Sequence, residues 1–464
     1  MLEINSGDTA WILTSAALVL LMTPGLALFY GGMVRAKGAL NMIMMSFISM
    51  GTIGVLWVLF GYSMSFGDAI GFWVPDGGFG RTTFVGLLGN PLSFAGLGQL
   101  VAPDAVAGTV PALAFVAFQA CFAIITTAVV SGAIADRASF GGWTAFTIAW
   151  GILVYFPVAG WVFSFDNFTG VGFHGGWIAN WLGAIDLAGG SAIEINAGMS
   201  ALALALVLGP RIGFGTKPMR PHNMTLVMLG AGLLWFGWMG FNSGSAVAAN
   251  GMASLAWLNT MAAAAAAMVS WLIVEKVRDG HPTSLGAASG IVAGLVAATP
   301  SAASVSPMGA LLIGAVAGIA SAYAVGLKYK WGYDDSLDVV GVHFVGGVIG
   351  MVMIGLLADP ATPGSFGHAG LFYGGGVDQL SRQVIASAVV GVYAFVVSYL
   401  IATGIKKLIG WRVSAADELS GIDLAEHSEV GYDLSPVYYT NKIQRTLVLT
   451  KDDFAEPQTT GAEK

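Results

Sequence analysis

Two ionisable side chains stand inside long apolar stretches of the sequence. Glu194 lies within the run 187–209, and His343 lies within the run 340–358. A charged group at bilayer depth is costly and is a functional-site hypothesis by default. A lone buried carboxylate would be protonated or would need a cationic partner. The two residues are therefore predicted to face each other as a proton-exchanging pair along a conduction path. The alternative is a polar contact that ties two helices together.

Asp186 and Asp338 each come just ahead of one of these runs, in the segments Asp-Leu-Ala-Gly-Gly and Asp-Val-Val-Gly-Val-His. Aspartate is a favoured N-cap residue, and its charge complements the positive end of the helix dipole. Both residues are therefore predicted to be structural caps. A direct electrostatic effect on a passing cation is the alternative.

Aromatic and hydroxyl side chains recur at helical spacing in two further runs. Phe118 and Phe122 stand at i and i+4 of one run. Trp238, Phe241 and Ser245 follow i, i+3 and i+7 of another, so each set shares one helix face. Ring faces attract cations, and a serine hydroxyl accepts hydrogen bonds that a spherical alkali ion cannot donate. The pattern predicts a cation site near the outer membrane surface, with packing or lipid contact as the alternative.

The elements that must position these residues are membrane-spanning helices. Of the 464 residues, 56% are hydrophobic and 10% are charged, and the mean hydropathy is +0.76. The runs are apolar on all sides, which excludes the alternating strands of a β-barrel. Glu3 and Asp8 replace the basic region of a cleavable signal peptide, so the first run is interpreted as a span. Eleven spans are predicted, at 9–33, 39–66, 109–134, 142–165, 187–209, 224–245, 252–275, 284–299, 307–326, 340–358 and 384–405.

The basic residues orient this all-α, multi-pass membrane protein. When the loops are counted alternately, 17 of the 19 basic residues fall on one side, and only Arg81 and Arg382 fall on the other. Loops rich in Lys and Arg are cytoplasmic. The sequence therefore predicts an odd number of spans in the plasma membrane, with the amino terminus outside and the carboxyl terminus in the cytoplasm.

Composition also excludes several classes of function. The net charge of −7 leaves no basic stripe that could follow nucleic acid. Cys121 is the single cysteine, so two-cysteine redox and metal motifs are absent. No nucleophile–base set, metal cluster or cofactor motif occurs at membrane depth, so the chain is not expected to be an enzyme. Charge becomes denser near the carboxyl end, which predicts a transmembrane domain at 1–409 and a cytoplasmic regulatory tail at 410–464.

Five stretches of the chain resemble the ammonium transporters of the Amt/Mep/Rh family, on the Amt/Mep side. They are Gly25-Leu-Ala-Leu-Phe-Tyr-Gly-Gly32, Ala117-Phe-Gln-Ala-Cys-Phe122, Asp186-Leu-Ala-Gly-Gly190 with Ile195-Asn-Ala197, Gly237-Trp-Met-Gly-Phe-Asn-Ser-Gly-Ser245 and Asp338-Val-Val-Gly-Val-His343. The resemblance implies a homotrimer with one pore per subunit. It also implies two inverted five-helix halves plus an eleventh helix, and ammonium or ammonia as substrate, with methylammonium as an analogue.

The resemblance also implies a role for each candidate residue. The implied recruitment site comprises Phe118, Phe122, Phe163 and Ser245, and the implied phenyl gate below it comprises Phe122 and Phe241. The implied pore is lined by Trp238, Glu194 and His343. Asp186 is implied to have a structural and electrostatic role.

The sequence departs from the family pattern at two positions. Glu194 stands where the first of two pore histidines is expected, so the pair is Glu–His rather than His–His. Phe163 stands where a tryptophan is expected, and Trp161 lies two residues earlier, about 200° away around a helix. Because phenylalanine has a weaker cation–π face than tryptophan, Phe163 predicts a weaker apparent affinity.

The leading hypothesis is an ammonium transporter that gathers the cation at the aromatic site, removes its proton and conducts neutral ammonia past Glu194 and His343. The alternative is a membrane ammonium sensor that signals through its tail. Residues 413–432 resemble the family's cytoplasmic regulatory segment, on which a PII-type nitrogen-signalling protein is a possible partner. A solvated, partly disordered tail is the alternative to that segment.

Overall fold

The computed structural model describes residues 3–75 and 82–432. Within this part of the chain, eleven helices are long and apolar enough to cross a membrane. They are α1 (Ser6–Met33), α2 (Ala36–Phe66), α3 (Ala112–Ile134), α4 (Phe140–Phe163), α5 (Gly190–Leu208), α6 (Met224–Gly244), α7 (Gly251–Asp279), α8 (Ser284–Ser301), α9 (Pro307–Trp331), α10 (Val340–Leu357) and α11 (Asp378–Leu408). Arg81 and residues 433–464 lie outside the described residues.

The predicted spans and the observed helices correspond one to one. The largest differences are at α11, which begins at Asp378 rather than 384, and at α9, which continues to Trp331 rather than 326. Both extensions carry charged residues, such as Arg382 and Lys328. An apolarity criterion ends a span at such residues, whereas the hydrogen-bonded helix continues because each charge has a partner. Nζ of Lys328 lies 2.6 Å from Oδ1 of Asp338, and Nε of Arg382 lies 2.8 Å from Oδ2 of Asp378.

Polar residues begin several of the helices. Asn5, Asn223, Asn250, Thr283 and Ser306 each accept a hydrogen bond from a backbone N–H in the first turn. These side chains satisfy donors that the helix itself leaves unpaired. Spans α3, α4, α5 and α8 are the most buried, whereas α2, α7 and α11 present most of their surface outward.

Four of the spans contain a π-helical turn. These turns are Trp57–Gly61, Gly151–Tyr155, Gly190–Ile195 and Val340–Phe344. A π turn is rare and frequently marks a functional site, because the extra residue redirects the side chains around it. Glu194 lies in the third of these turns and His343 in the fourth.

A β-hairpin follows α2 on the same side of the bundle as the start of the chain. Strands β1 (Ala69–Pro75) and β2 (Thr82–Gly89) pair antiparallel, and the short strands β3 (Val106–Ala107) and β4 (Val110–Pro111) form a second pair. We call this side the hairpin end. Because the number of spans is odd, residues 411–431 follow α11 at the opposite side, which we call the tail end.

Residues 411–431 are folded onto the tail end rather than extended into solvent. They contain two short helices, α12 (Ala415–Ser420) and α13 (Ile422–His427). The carboxylate of Asp423 accepts hydrogen bonds from the backbone N–H groups of Leu40 and Asn41, at 3.1 and 2.8 Å. Trp411 is buried, and its carbonyl accepts from Ser139 N–H. The disordered alternative therefore does not describe this part of the tail.

A cluster of buried charges lies at the same end. Arg211 donates two hydrogen bonds to the carboxylate of Asp334, from Nε to Oδ2 and from Nη2 to Oδ1, both at 2.8 Å. Arg137, fully buried, lies 3.9 Å from Asp334 and donates to Ser336 and to the carbonyl of Asp334. Burial lowers the pKa of Arg137 to about 10, so the guanidinium stays charged at neutral pH. The cluster joins the loops that precede α4, α6 and α10.

Candidate functional site

Glu194 and His343 meet at the centre of the helix bundle. Nδ1 of His343 lies 2.7 Å from Oε2 of Glu194, which is a hydrogen-bonding distance. Both side chains are almost completely buried, with residue exposures of 1% and 4%. A carboxyl group and an imidazole in this contact can share a proton, since each can either donate or accept.

Two glycines allow α5 and α10 to approach closely enough for this contact. A Cβ on Gly347 would stand 2.9 Å from Cβ of Glu194, and a Cβ on Gly198 would stand 2.6 Å from Cβ of Phe344. Small residues at helix contacts are what permit close packing of membrane helices. The separation of the Glu–His pair is therefore set by backbone contact between the helices.

The pair borders a narrow cavity of about 20 Å³. Such a volume holds about one molecule the size of water. Apart from Glu194 and His343, the lining is apolar and consists of Met22, Leu26, Phe29, Ile125, Val129, Ile193, Leu234, Trp238, Phe241 and Val292. Trp238 is fixed by a hydrogen bond from Nε1 to Oγ1 of Thr299, at 2.9 Å. A neutral solute fits these surroundings at a lower desolvation cost than an ion does.

A pair of stacked rings closes the narrow cavity toward the hairpin end. The ring centroids of Phe122 and Phe241 are 4.1 Å apart, and the ring planes are inclined by 17°. Phe241 borders the narrow cavity, and Phe122 also makes an edge contact with Phe163, at 6.5 Å between centroids. The stack thus separates the narrow cavity from the space beyond Phe163.

That space is a wide cavity of about 300 Å³ at the hairpin end. Phe163, Asp186 and Ser245 all line it. The hydroxyl of Ser245 donates to the carbonyl of Phe241, at 2.9 Å, so its lone pairs remain for a donor in the cavity. Trp161 instead donates its Nε1–H to the carbonyl of Leu87 and does not line the cavity.

Neither Phe118 nor Phe122 lines the wide cavity, so their place in the recruitment site stays a prediction, and Phe118 lies farther from the cavity than expected. Its side chain is fully buried, and its ring packs 4.7 Å from that of Phe122. Its Cε2 also lies within 2.8 Å of the place where a Cβ on Gly244 would stand. Helical spacing predicts that Phe118 and Phe122 share one face of α3, but it does not predict how deeply Phe118 is buried. The burial depends on α6, where Gly244 leaves room for the ring of Phe118.

Asp186 caps the turn that carries Glu194. Its Oδ1 accepts from the N–H groups of Gly189 and Gly190 at 2.8 and 2.6 Å. Its Oδ2 accepts from the N–H and the hydroxyl of Ser191 at 2.7 and 2.6 Å. Four donors therefore hold the carboxylate at the start of α5, where it borders the wide cavity.

Asp335, rather than Asp338, makes the corresponding contact for His343. Its Oδ2 accepts from the N–H of Val340 at 2.7 Å, whereas Asp338 pairs with Nζ of Lys328 at 2.6 Å. The backbone of Asp338 has a φ of +65°, which is uncommon for a residue other than glycine. The side chain of Asp338 forms an ion pair with Lys328 rather than a cap on the first turn of α10.

The spacing in the sequence contains a signal for Asp335. Asp186 lies eight residues before Glu194, and Asp335 lies eight residues before His343. The equal offset of eight residues marks Asp335 as the counterpart of Asp186. In the described residues, no group of three or more His, Cys, Asp or Glu side chains is arranged to hold a metal ion.

Replacing Asp335 by asparagine is expected to stabilise the protein at neutral pH. Burial raises the pKa of Asp335 to about 6, against about 3.9 in an unfolded chain. The folded state therefore holds this proton more tightly, and the contribution of Asp335 to stability falls as the pH rises from about 4 to 6. The variant keeps an acceptor for Val340 N–H and cannot ionise. We expect a gain of roughly 2–3 kcal/mol at pH 7 that disappears near pH 4.

Thermal unfolding of the purified protein at several pH values measures this difference. The exposed Asp104, changed to asparagine, is the matched control and should leave the pH dependence unaltered. A gain that is independent of pH, or a loss of stability at pH 7, would contradict the expectation for Asp335.

Comparison with known proteins gives a consistent result over nearly the whole chain. The sequence profile described as the Ammonium Transporter Family matches residues 10–432. The Mycobacterium tuberculosis protein named ammonium transporter is 54% identical over 450 residues, which cover 93% of this chain and 91% of that protein. The crystal structure of Saccharomyces cerevisiae Mep2 has a TM-score of 0.80 at 30% identity and covers 94% of this chain and 93% of that one. A structure named Sensor Amt Protein has a TM-score of 0.79 at 29% identity, with 91% and 98% covered.

Proposed function

The chain belongs to the ammonium transporter family, and on that premise we propose that it recruits ammonium at the wide cavity, removes its proton and conducts ammonia through the narrow cavity. The observation that carries the proposal is the contact of Glu194 with His343 at 2.7 Å, in surroundings that are otherwise apolar. An intact ammonium ion would have to shed its water there at a high cost, whereas ammonia would not.

We orient the molecule with the hairpin end outside the cell. This proposal rests on the basic residues, because 17 of the 19 fall on the side of the tail end when the loops are counted alternately. Loops rich in Lys and Arg are cytoplasmic in membrane proteins. In this orientation the wide cavity receives ammonium from the outside, and the tail 410–464 is a cytoplasmic regulatory segment.

Recruitment uses the ring of Phe163 and the hydroxyl of Ser245. Ammonium carries four N–H donors and a positive charge, so it binds where a π face and a lone pair are both present. A spherical alkali ion has no N–H to donate to Ser245. The phenyl ring of Phe163 attracts cations less than an indole would, and we therefore expect the apparent affinity to be modest.

Passage requires the stacked rings of Phe122 and Phe241 to separate, since they lie between the two cavities. Beyond them, ammonium gives its proton to the carboxyl–imidazole pair of Glu194 and His343, and ammonia continues through the narrow cavity; the pair releases this proton again before the next ammonium arrives. Asp186 and Asp335 support this step indirectly by holding the turns from which Glu194 and His343 project.

Uptake by the full chain in liposomes tests the proposal. We expect saturable uptake of methylammonium, competition by ammonium, and an ammonium-evoked signal that potassium does not produce. Empty liposomes are the control. A purified, folded protein that binds methylammonium but moves none would overturn the transport proposal and favour the sensor.

Replacing Phe122 by alanine is expected to raise the water permeability of liposomes that contain the protein several-fold. The stack with Phe241 at 4.1 Å is the barrier between the two cavities, and the smaller side chain removes half of it. Stopped-flow swelling after an osmotic step measures the effect. The matched control is Phe115→Ala, a buried aromatic on the same helix that packs against Tyr62, Phe66 and Phe168 instead. Equal permeability in both variants would show that the stack is not the barrier.

A membrane sensor of ammonium is the second candidate function. It is favoured by the similarity to the structure named Sensor Amt Protein and by the folded segment 411–431, which bonds to loops of the membrane body. Growth of a transporter-deficient host at low ammonium separates the two functions, because only a transporter restores growth.

The assembly and the cytoplasmic partner are proposed from the family resemblance. A homotrimer is expected, with one pore in each subunit, and its mass can be measured by light scattering in detergent. A PII-type nitrogen-signalling protein is the proposed regulator of the tail end. Co-purification in the presence and absence of residues 410–464 tests whether the tail takes part.

A further inference from the structure

The wide cavity has a second wall, which comes from the loop between α10 and α11, residues 358–377. Phe366 and His368 in this loop line the same cavity as Phe163 and Ser245. Both residues lie outside the membrane spans, so apolarity and helical spacing do not single them out in the sequence. Their aromatic rings place two further groups on the path of a cation that enters the cavity.

The loop is tied to the membrane body, so these two side chains have a defined position. Its residue Asp359 donates N–H to the carbonyl of Ser304, and Gly364 donates to Ala303, both at 2.9 Å. Ser365, between Gly364 and Phe366, is fully buried. The loop is therefore fixed on the end of α8, directly beside the cavity.

Phe366 combines an unusual backbone with an exposed ring. Its φ and ψ are +50° and +31°, in the left-handed region that bulky residues rarely adopt. The side chain is nevertheless 67% exposed and forms no ring–ring contact with the described residues. Packing thus does not explain the aromatic residue at this position, and backbone strain of this kind concentrates at ligand clamps and active sites.

His368 presents an imidazole with free hydrogen-bonding capacity. Its backbone N–H donates to the carbonyl of Ser365 at 2.9 Å. Within residues 3–75 and 82–432, its ring nitrogens make no hydrogen bond or ion pair, although the side chain is half-buried and borders the cavity. A neutral imidazole offers one acceptor nitrogen. The carboxylate of Asp186, the other ionisable group on the lining, already accepts four hydrogen bonds.

We propose that Phe366 and His368 form a second wall of the ammonium-recruitment site. The ring of Phe366 supplies a π face, and the imidazole of His368 accepts an N–H of the cation. Ammonium and methylammonium have only donors to offer, so a cavity that surrounds them with acceptors and rings holds them better than one wall does. This inference rests on the proposed function and assigns it two further binding residues.

Kinetics of methylammonium uptake by the full chain in liposomes test the inference. Phe366→Ala and His368→Ala are each expected to raise the apparent KM by about three- to tenfold, the loss expected of one cation contact, and to leave the maximal rate unchanged. Phe366→Trp should restore or lower the KM. Phe366→Gly separates strain from binding: it relieves the left-handed backbone and should raise the thermal stability, yet raise the KM as alanine does.

Phe372→Ala is the matched control, because Phe372 is 69% exposed in the same loop but does not line the cavity. Its KM should equal that of the wild type. An unchanged KM for both Phe366→Ala and His368→Ala, in a protein that does transport, would overturn the second wall and leave the proposed function standing. A wild-type protein that moves no methylammonium would overturn both.

Discussion

Replacing Glu194 by glutamine is expected to lower methylammonium uptake by about a hundredfold or more, since proton transfer by a positioned side chain contributes at least that much. The variant has nearly the same volume and can still bond to Nδ1 of His343, which lies 2.7 Å from Oε2 in the wild type. It cannot accept a proton. The pair then lacks the carboxylate that receives the proton of ammonium, and the neutral amide cannot take its place. Uptake and ammonium-evoked current in liposomes measure the loss.

The control for Glu194 is Glu275→Gln. Glu275 is also a buried glutamate in a membrane helix, and it accepts hydrogen bonds from Trp271 and from the N–H of Thr283. It does not line either cavity, so its amide should support normal uptake. Glu194→His, which restores a second imidazole, should recover part of the activity. Wild-type uptake by Glu194→Gln would exclude proton transfer through this residue.

Replacing Asp334 by alanine is expected to destabilise the protein by about 3–5 kcal/mol, as removal of one partner from a buried ion pair does. Asp334 is 1% exposed and bonds Arg211 in a fork, with Arg137 3.9 Å away. Without the carboxylate, two buried guanidinium groups face each other with less compensation. Thermal unfolding in detergent measures the effect.

The control for Asp334 is Asp279→Ala, which removes an exposed pair with Arg278. Exposed pairs contribute little, so the unfolding temperature should stay nearly constant.

The pH dependence of the stability of the wild type gives a second criterion. Burial acts to raise the pKa of Asp334, but the bonds to Arg211 and the charge of Arg137 outweigh it and hold the pKa below its ordinary value. The stabilisation is therefore present at neutral pH and is lost as the pH falls through the folded-state pKa. If Asp334→Ala unfolded like Asp279→Ala, the cluster would not hold these loops together.

The eleven spans could be predicted from sequence because the physical signal is strong and redundant. Long apolar runs are needed to cross the bilayer. A single missed span would move all later loops to the opposite side, so the basic residues would no longer be concentrated on one side. The ends were less accurate. At α11 the helix includes Asp378 and Arg382, since backbone hydrogen bonding does not stop where apolar side chains stop.

The approach of Glu194 to His343 was predicted from the scarcity of ionisable residues in the spans. How they approach could not be predicted, because it depends on Gly198 and Gly347 and on two π-helical turns. No composition signal distinguishes these glycines from the many others in the chain. Phe118 illustrates the converse difficulty: its spacing is right for the helix face, but burial behind Phe122 depends on α6.

The two loop residues of the wide cavity could not be predicted from the membrane spans. Phe366 and His368 reach the wide cavity only because residues 358–377 fold back onto the end of α8. Asp335 was missed for a different reason, since its neighbour Asp338 occupies an equally plausible position in the sequence. The contacts in the folded protein decide between them, since Asp335 accepts from Val340 N–H and Asp338 pairs with Lys328.

The small volume of the narrow cavity, about 20 Å³, would limit both the number and the size of the molecules that it can hold at one time. Because the narrow cavity holds one small molecule, substrate molecules would pass through it in single file, and each would have to leave before the next could enter. Alkylated amines that are bulkier than methylammonium would fit the wide cavity of about 300 Å³ but not the chamber below it. Such amines would bind in the wide cavity and inhibit ammonium uptake competitively. The upper limit on substrate size would follow from the cavity volumes alone and would need no side chain that distinguishes the amines chemically.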